Sequence, residues 1–402
     1  MRALVGVRCL IQPKTGIGHY TEELLQALRQ HPQAPQIATY PGPMLLSVAK
    51  KALDWGKSLK KLTTLGRSGQ KRFGSPQESL AGPAKSPLSE RVYEWLLDRE
   101  LRSKKYDFYH EPNYFAQPCD LPTIVTVCDL SALIHPQWHP ADRVRRHEQL
   151  FRWLVPSGAH FLTISRFVSQ EMQKYLGIHP SRIHVTCCGV RNHLRPLPAE
   201  AVKTTLARLG LPSGYFLHVG TIEPRKNLGL LLRAWADLPD RVRTRHPLVL
   251  AGGIGWKETG VLDLMADLKP KGLFHLGYID DADLPALYGG ARALVYPSHY
   301  EGFGMPPVEM LACGGVVLAA PAGAVEEVAS PSAHILRSQD PQEWRDAMLR
   351  LAVDDDWHAE LASQAIETAS RHTWQRCADL TISGYQKLMG QSVELSKPGK
   401  AA

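Results

Sequence analysis

The chain has 402 residues, the length of two ordinary domains. Hydrophobic residues make up 44% and charged residues 21%, globular usage that excludes a disordered or fibrous chain. The net charge is +8, but eight of the basic residues, against the single acid Asp54, crowd between Pro43 and Pro76. The remainder is nearly neutral, which excludes a surface that wraps nucleic acid all round.

Ala3–Cys9 is a short apolar run, the pattern of a buried parallel strand. A loop holding Gly16 and Gly18 follows, then a helical pattern with Tyr20, Leu24, Leu25 and Leu28 on one face and Glu22 and Glu23 in its first turn. A helix at Ser89–Arg102 precedes strands at Asp107–His110 and Thr123–Cys128, and Phe161–Ile164 is another strand. Ser165 reads as the N-cap of a helix over Arg166–Leu176, and Ile183–Cys187 closes the first series. The pattern lapses over Arg195–Gly214, the best domain boundary. A second series then runs through strands at Tyr215–Val219, Leu248–Ala251, Leu273–Leu276, Ala293–Tyr296 and Val316–Ala319. Its helices are expected at Leu228–Trp235 and near Val261–Leu268, Leu284–Tyr288 and Pro306–Ala312. Such alternation predicts an α/β protein with two doubly wound parallel sheets.

Seven scattered cysteines, with no Cys-x-x-Cys pair, fit a reducing compartment. No run approaches the roughly 18–20 apolar residues of a membrane span. A cytoplasmic protein is therefore expected.

Two facing sheets leave a cleft at the carboxyl ends of their strands, where ligands bind. The segment Tyr300–Glu309 leads from a strand into a helix. Gly302 and Gly304 admit close backbone approach to a ligand, and Glu301 and Glu309 offer acceptors for paired hydroxyls around a phosphate-sized site. The plain alternative is a strand-to-helix turn whose Glu309 complements the helix dipole. Gly220–Asn227 likewise joins a strand to a helix, and its Arg225 and Lys226 suit a pyrophosphate, or else form a solvated basic turn. No His/Cys cluster with ligand spacing is present, so no metal site and no cofactor are expected.

These two segments resemble the signature of the retaining glycosyltransferases of family 4, which have the two-domain GT-B fold. The likeness extends to Gly16–Thr21, Val125–Leu130, Thr163–Phe167, Gly189-Val190 and the stretch from Trp374 to Tyr385. It implies a Rossmann-like acceptor-side domain over 1–195, with a basic insertion at 43–87, joined by a C-terminal helix at 375–392. A nucleotide-sugar domain would span 196–374, with a flexible tail at 393–402. Glu301 would hold hydroxyls of the donor sugar and Glu309 the ribose, while Arg225 and Lys226 would take the diphosphate. Asp129 joins the catalytic set by the same resemblance. Backbone groups of Gly302, Phe303 and Gly304, and of Gly16 and Gly18, would complete the anion site. Nucleotide diphosphate sugar is then a co-substrate, transfer needs no metal, and no general base is assigned. Overall the chain leans toward members that use GDP-mannose in bacterial polysaccharide assembly.

One position departs from the family. Cys128 stands where a histidine usually precedes Asp129, at the donor sugar, and His110 or His135 could reach the same space. The loss motivates an alternative: a catalytically silent scaffold that binds nucleotide sugar or glycan. In the basic segment, Lys50, Lys57 and Lys61 lie opposite an apolar helical face, with Lys51 and Lys60 nearby. That fits contact with an anionic inner-membrane surface and a lipid-linked acceptor, or a solvated insertion. Nucleic acid is not an expected partner.

Overall fold

The structure, a computed structural model, describes residues 1–11, 16–42, 87–103 and 105–395. The basic segment with Lys50, Lys51, Lys57, Lys60 and Lys61, and the tail from residue 396, lie outside the described residues.

Twelve strands among the described residues form two six-stranded sheets, parallel throughout. The first is ordered β2-β1-β3-β4-β5-β6, from β1 (Arg2–Gly6), β2 (Gln36–Tyr40), β3 (Phe108–Glu111), β4 (Thr123–Val127), β5 (His160–Thr163) and β6 (Ile183–Val185). The second is ordered β12-β11-β10-β7-β8-β9, from β7 (Tyr215–Val219), β8 (Leu248–Ala251), β9 (Leu273–Gly277), β10 (Ala291–Tyr296), β11 (Val317–Ala319) and β12 (Ala333–Ile335). Read from its other edge, the second sheet has the dinucleotide-binding order 3-2-1-4-5-6, whose direction reverses between β7 and β10. Central strands such as β7 and β8 are buried on both faces, which is why they read as continuous apolar runs rather than alternating ones.

Six helices frame the cleft: α1 (Gly16–Gln30), α2 (Ala141–Leu154), α3 (Arg166–Leu176), α4 (Leu228–Ala236), α5 (Met305–Ala312) and α6 (Trp374–Leu395). Ser165 caps α3 as expected, its side chain accepting from the Val168 amide. Helix α6 returns to the first sheet: Asp379 meets His31 at 2.8 Å, and Tyr385 lies buried against Phe108 and His110.

Several expectations are corrected. Strand β1 ends at Gly6, and Arg8–Leu10 turns into a 3-10 helix. Helix α1 begins at Gly16, so Gly16 and Gly18 lie in its first turn rather than in a loop, and Glu22 and Glu23 fall beyond that turn. The edge strands β2 and β12 carry no sequence signal because they are only partly buried. Helix α2 was hidden by its charges: its buried stripe, His147, Leu150, Phe151 and Leu154, includes a histidine.

Candidate active site

The crossover point of the second sheet places two strand ends side by side, and both candidate segments sit there. β7 runs into Gly220–Asn227, and β10 runs into Tyr300–Glu309. The two loops interlock: the His299 amide donates to the Arg225 carbonyl at 2.8 Å, and Arg225 Nη1 donates to the Tyr300 carbonyl at 3.0 Å.

Glu301 is the hub. One carboxylate oxygen accepts from Lys226 Nζ at 2.6 Å, the other from Arg225 Nη1 at 2.7 Å. Arg225 Nε also pairs with Glu223 at 2.8 Å, and Lys226 Nζ donates to the Tyr296 hydroxyl at 2.7 Å. Glu223, Lys226 and Glu301 are each no more than 6% exposed. Burial alone would raise the Glu301 carboxyl, but Arg225 and Lys226 outweigh it and hold the group at about 2. Burial lowers Lys226, an effect Glu301 opposes only in part. The cluster is thus a pair of cations kept in a low-dielectric site by two carboxylates. Phosphate oxygens arriving at the cleft would meet charge already desolvated and oriented.

The first sheet supplies the opposite wall. Asp129 follows β4, and its carboxylate accepts from the amide and hydroxyl of Ser131 at 3.0 and 2.7 Å. Burial raises it, yet Arg225, Ser131 and Arg143 together hold its carboxyl below the usual range. Arg225 therefore feels carboxylates from both halves of the molecule.

The walls touch at Gly302. A Cβ there would lie 1.9 Å from the Cys128 carbonyl oxygen, so only glycine permits this approach. The Gly302 carbonyl accepts from Ser165 Oγ at 2.6 Å, and the Tyr300 hydroxyl joins Glu171 of α3 and the Leu130 amide. Glu327 closes the far end, its two oxygens accepting from the Arg166 and Phe167 amides at 3.0 and 3.1 Å, the N-terminus of α3. Gly304 adopts φ 103° at the N-cap of α5, a conformation that favours glycine. The Phe303 ring is buried edge-on against His372 at 5.4 Å, which leaves the backbone as the part of Phe303 that can serve a ligand.

Three expected positions differ from the sequence reading. Glu309 is the fifth residue of α5, beyond its first turn, and its carboxylate is engaged by Arg191 Nη2 and the Tyr288 hydroxyl, both at 2.8 Å. Its partners differ from those of Glu301, so the two carboxylates sit in separate hydrogen-bond networks. His110 does not face the cleft: it is wholly buried, Nδ1 lies 2.8 Å from the Tyr385 hydroxyl and Nε2 lies 2.9 Å from Thr126 Oγ1. Burial lowers its pKa to about 3, so it is a neutral structural group. Cys128 is buried and burial pushes its thiol above the ordinary range, so it offers little to a polar ligand. His135 does reach the interface, stacked on Trp138 at 4.1 Å and edge-on to Tyr300.

Arg191 was missed entirely. Directly after Gly189-Val190, it bridges Glu309 and Asp281, the latter at 2.9 Å, while His19 of α1 lies 3.6 Å from the same Asp281. This brings the Gly16–Gly18 turn toward the ends of the second sheet. Trp256 and Lys257, also unforeseen, reach across from the loop after β8: Trp256 Nε1 donates to the Trp138 carbonyl at 2.6 Å, and Lys257 Nζ to those of Gln137 and His139. No group of three or more His, Cys, Asp or Glu side chains among the described residues is placed to hold a metal ion.

The sequence matches two family models, glycosyltransferase family 4 over residues 14–193 and glycosyl transferases group 1 over residues 208–372. It is 30% identical to the O-antigen chain mannosyltransferase B of Escherichia coli, over 96% of this chain and 100% of that protein. The chain belongs to this glycosyltransferase family. Among solved structures, this glycosyltransferase resembles sucrose-phosphate synthase from Thermosynechococcus elongatus, with TM-score 0.71, 18% identity and coverage of 97% and 99% of the two chains. It also resembles Anabaena HepE, solved with UDP and glucose, with TM-score 0.67, 15% identity and coverage of 96% and 99%. At such identities the likeness establishes the fold, which is GT-B: two Rossmann-like halves facing one cleft.

Proposed function

We propose that this glycosyltransferase moves mannose from GDP-mannose to a polysaccharide or lipid-linked glycan, retaining the anomeric configuration and using no bound metal. The relative named as an O-antigen chain mannosyltransferase, matched over its whole length, supports mannose as the transferred sugar and a polysaccharide chain as acceptor. The single observation that carries the chemistry is the buried cation pair, Arg225 and Lys226, at the crossover point of the second sheet.

In this reading the diphosphate displaces Glu301 from part of its contact with Arg225 and Lys226. The freed carboxylate then accepts hydrogen bonds from sugar hydroxyls. Negative charge growing on the leaving phosphate falls on the two cations and on backbone amides at Gly302–Gly304, the task a divalent metal performs elsewhere; single donors of this sort are worth about 3–4 kcal/mol. The bond from the anomeric carbon to the phosphate oxygen breaks, the acceptor oxygen bonds that carbon from the same face, and the acceptor proton passes to the departing phosphate. No side chain is needed as general base. Glu309, steadied by Arg191 and Tyr288, takes the ribose hydroxyls.

No helix among the described residues is long and apolar enough to cross a membrane. A lipid-linked acceptor would be met at the cytoplasmic face, with the basic segment as the contact.

The test is binding and slow hydrolysis of a panel of nucleotide sugars, with and without EDTA, by wild type and Glu309→Ala. One donor should be preferred, EDTA should change nothing, and Glu309→Ala should lose that donor. Cys128 favours a second reading, a silent nucleotide-sugar scaffold: binding without transfer, unchanged by Cys128→His, would decide for it.

A further inference from the structure

His139 stands between the 3-10 turn Pro136–Trp138 and helix α2. It is 2% exposed, and neither ring nitrogen has a hydrogen-bond partner. Buried polar groups are nearly always paired, so an imidazole with two unmade bonds calls for an explanation. The backbone here is gripped from the other half of the molecule: Lys257 Nζ donates to the His139 carbonyl at 2.7 Å, and the Trp256 ring lies 6.1 Å from the imidazole.

The surroundings are those of the active site. Arg143, Asp129 and Arg225 all act on the ring electrostatically, and the last two form opposite walls of the cleft. Burial, with Arg143 and Arg225, brings the imidazole to about 4 despite Asp129. It is therefore neutral near pH 7, with one N–H to give and one lone pair to accept. That pairing does not suit a phosphate, which wants donors only. It suits a hydroxyl, which both donates and accepts. Cys128, next to Asp129, is buried and brings no comparable group.

We infer that His139 binds the transferred sugar, hydrogen-bonding a hexose hydroxyl in the cleft between Asp129 and Arg225. The inference rests on the sugar-transfer reading and adds to it a second residue, beside Glu301, that recognises the hexose apart from its nucleotide.

The experiment compares binding of GDP and GDP-mannose by calorimetry in wild type, His139→Ala, His139→Phe and His139→Gln, and adds acceptor-free hydrolysis. His139→Ala and His139→Phe should bind GDP as wild type does, bind GDP-mannose about tenfold more weakly and hydrolyse it more slowly. His139→Gln, which keeps a donor and an acceptor, should recover most of the loss. Among 2-, 3-, 4- and 6-deoxy donors, one should weaken wild type about tenfold while weakening His139→Ala no further. Equal loss of GDP and GDP-mannose would overturn the inference, since the residue would then serve the nucleotide or the fold. So would unchanged donor binding with a raised acceptor KM, which would move His139 to the acceptor side. Wild type that binds GDP but gains nothing from any attached hexose would sink the transfer reading itself, and the inference with it. The wild-type arm thus separates the two failures.

Discussion

Replacing Glu301 by glutamine removes one negative charge from between two buried cations while keeping the side chain's shape. Its carboxyl is held at about 2 against an ordinary 4.5, and at about 1.4 kcal/mol per pKa unit the charged form gains about 3 kcal/mol from its surroundings. Breaking a buried ion pair from one side costs about 3–5 kcal/mol in general, which agrees. Because the folded pKa is depressed, this stabilisation is complete above pH of about 4.5 and is lost as pH falls toward 2. Glu301→Gln should therefore unfold in urea with a stability about 3 kcal/mol below wild type at pH 7. The gap should shrink to roughly half by pH 3 and vanish below pH 2. Tryptophan fluorescence follows the transition. A difference under about 1 kcal/mol at pH 7, or one that does not narrow on acidification, would refute the assignment of Glu301 as the counter-charge of Arg225 and Lys226.

Three further outcomes are expected. Gly302→Ala cannot keep a Cβ 1.9 Å from the Cys128 carbonyl, so the two halves must part; small-angle scattering should show a larger radius of gyration and turnover should fall about a hundredfold, as misplacement of a reacting group by about 1 Å does. His110→Phe strands the partners Tyr385 and Thr126 and should cost about 1–3 kcal/mol in thermal or urea unfolding, with kcat/KM for the donor unchanged; a selective loss of kcat/KM would return His110 to the site. Glu171, raised by burial and by Asp129 to about 7 though its bond from Tyr300 and the charge of Lys174 oppose this, has a folded pKa above its ordinary value. It therefore favours the folded state at low pH and progressively less as pH rises from about 4.5 through 7. Glu171→Gln should flatten that part of the stability profile, and an unchanged slope would place Glu171 outside the titration.

The amino-acid sequence by itself determined the architecture. Strand and helix periods are local properties, and buried parallel strands such as Tyr215–Val219 and Leu248–Ala251 declare themselves by unbroken apolar runs. The site segments were legible for a related reason: a strand end, its glycines and the first residues of the next helix are contiguous, so Gly220–Asn227 and Tyr300–Glu309 could be read as binding loops before any contact was known. What their side chains do in the unliganded fold was not legible. That Glu301 clasps Arg225 and Lys226 across some 75 residues, that Glu309 pairs instead with Arg191, and that His110 turns inward to Tyr385 all depend on which chain segments the sheet order brings together. Charge and hydrogen-bonding capacity are written in each residue, but their partners are set by through-space distance. Only the tertiary structure decides that His110 in β3 is satisfied, while His139, just before α2, is buried with both ring nitrogens unpartnered.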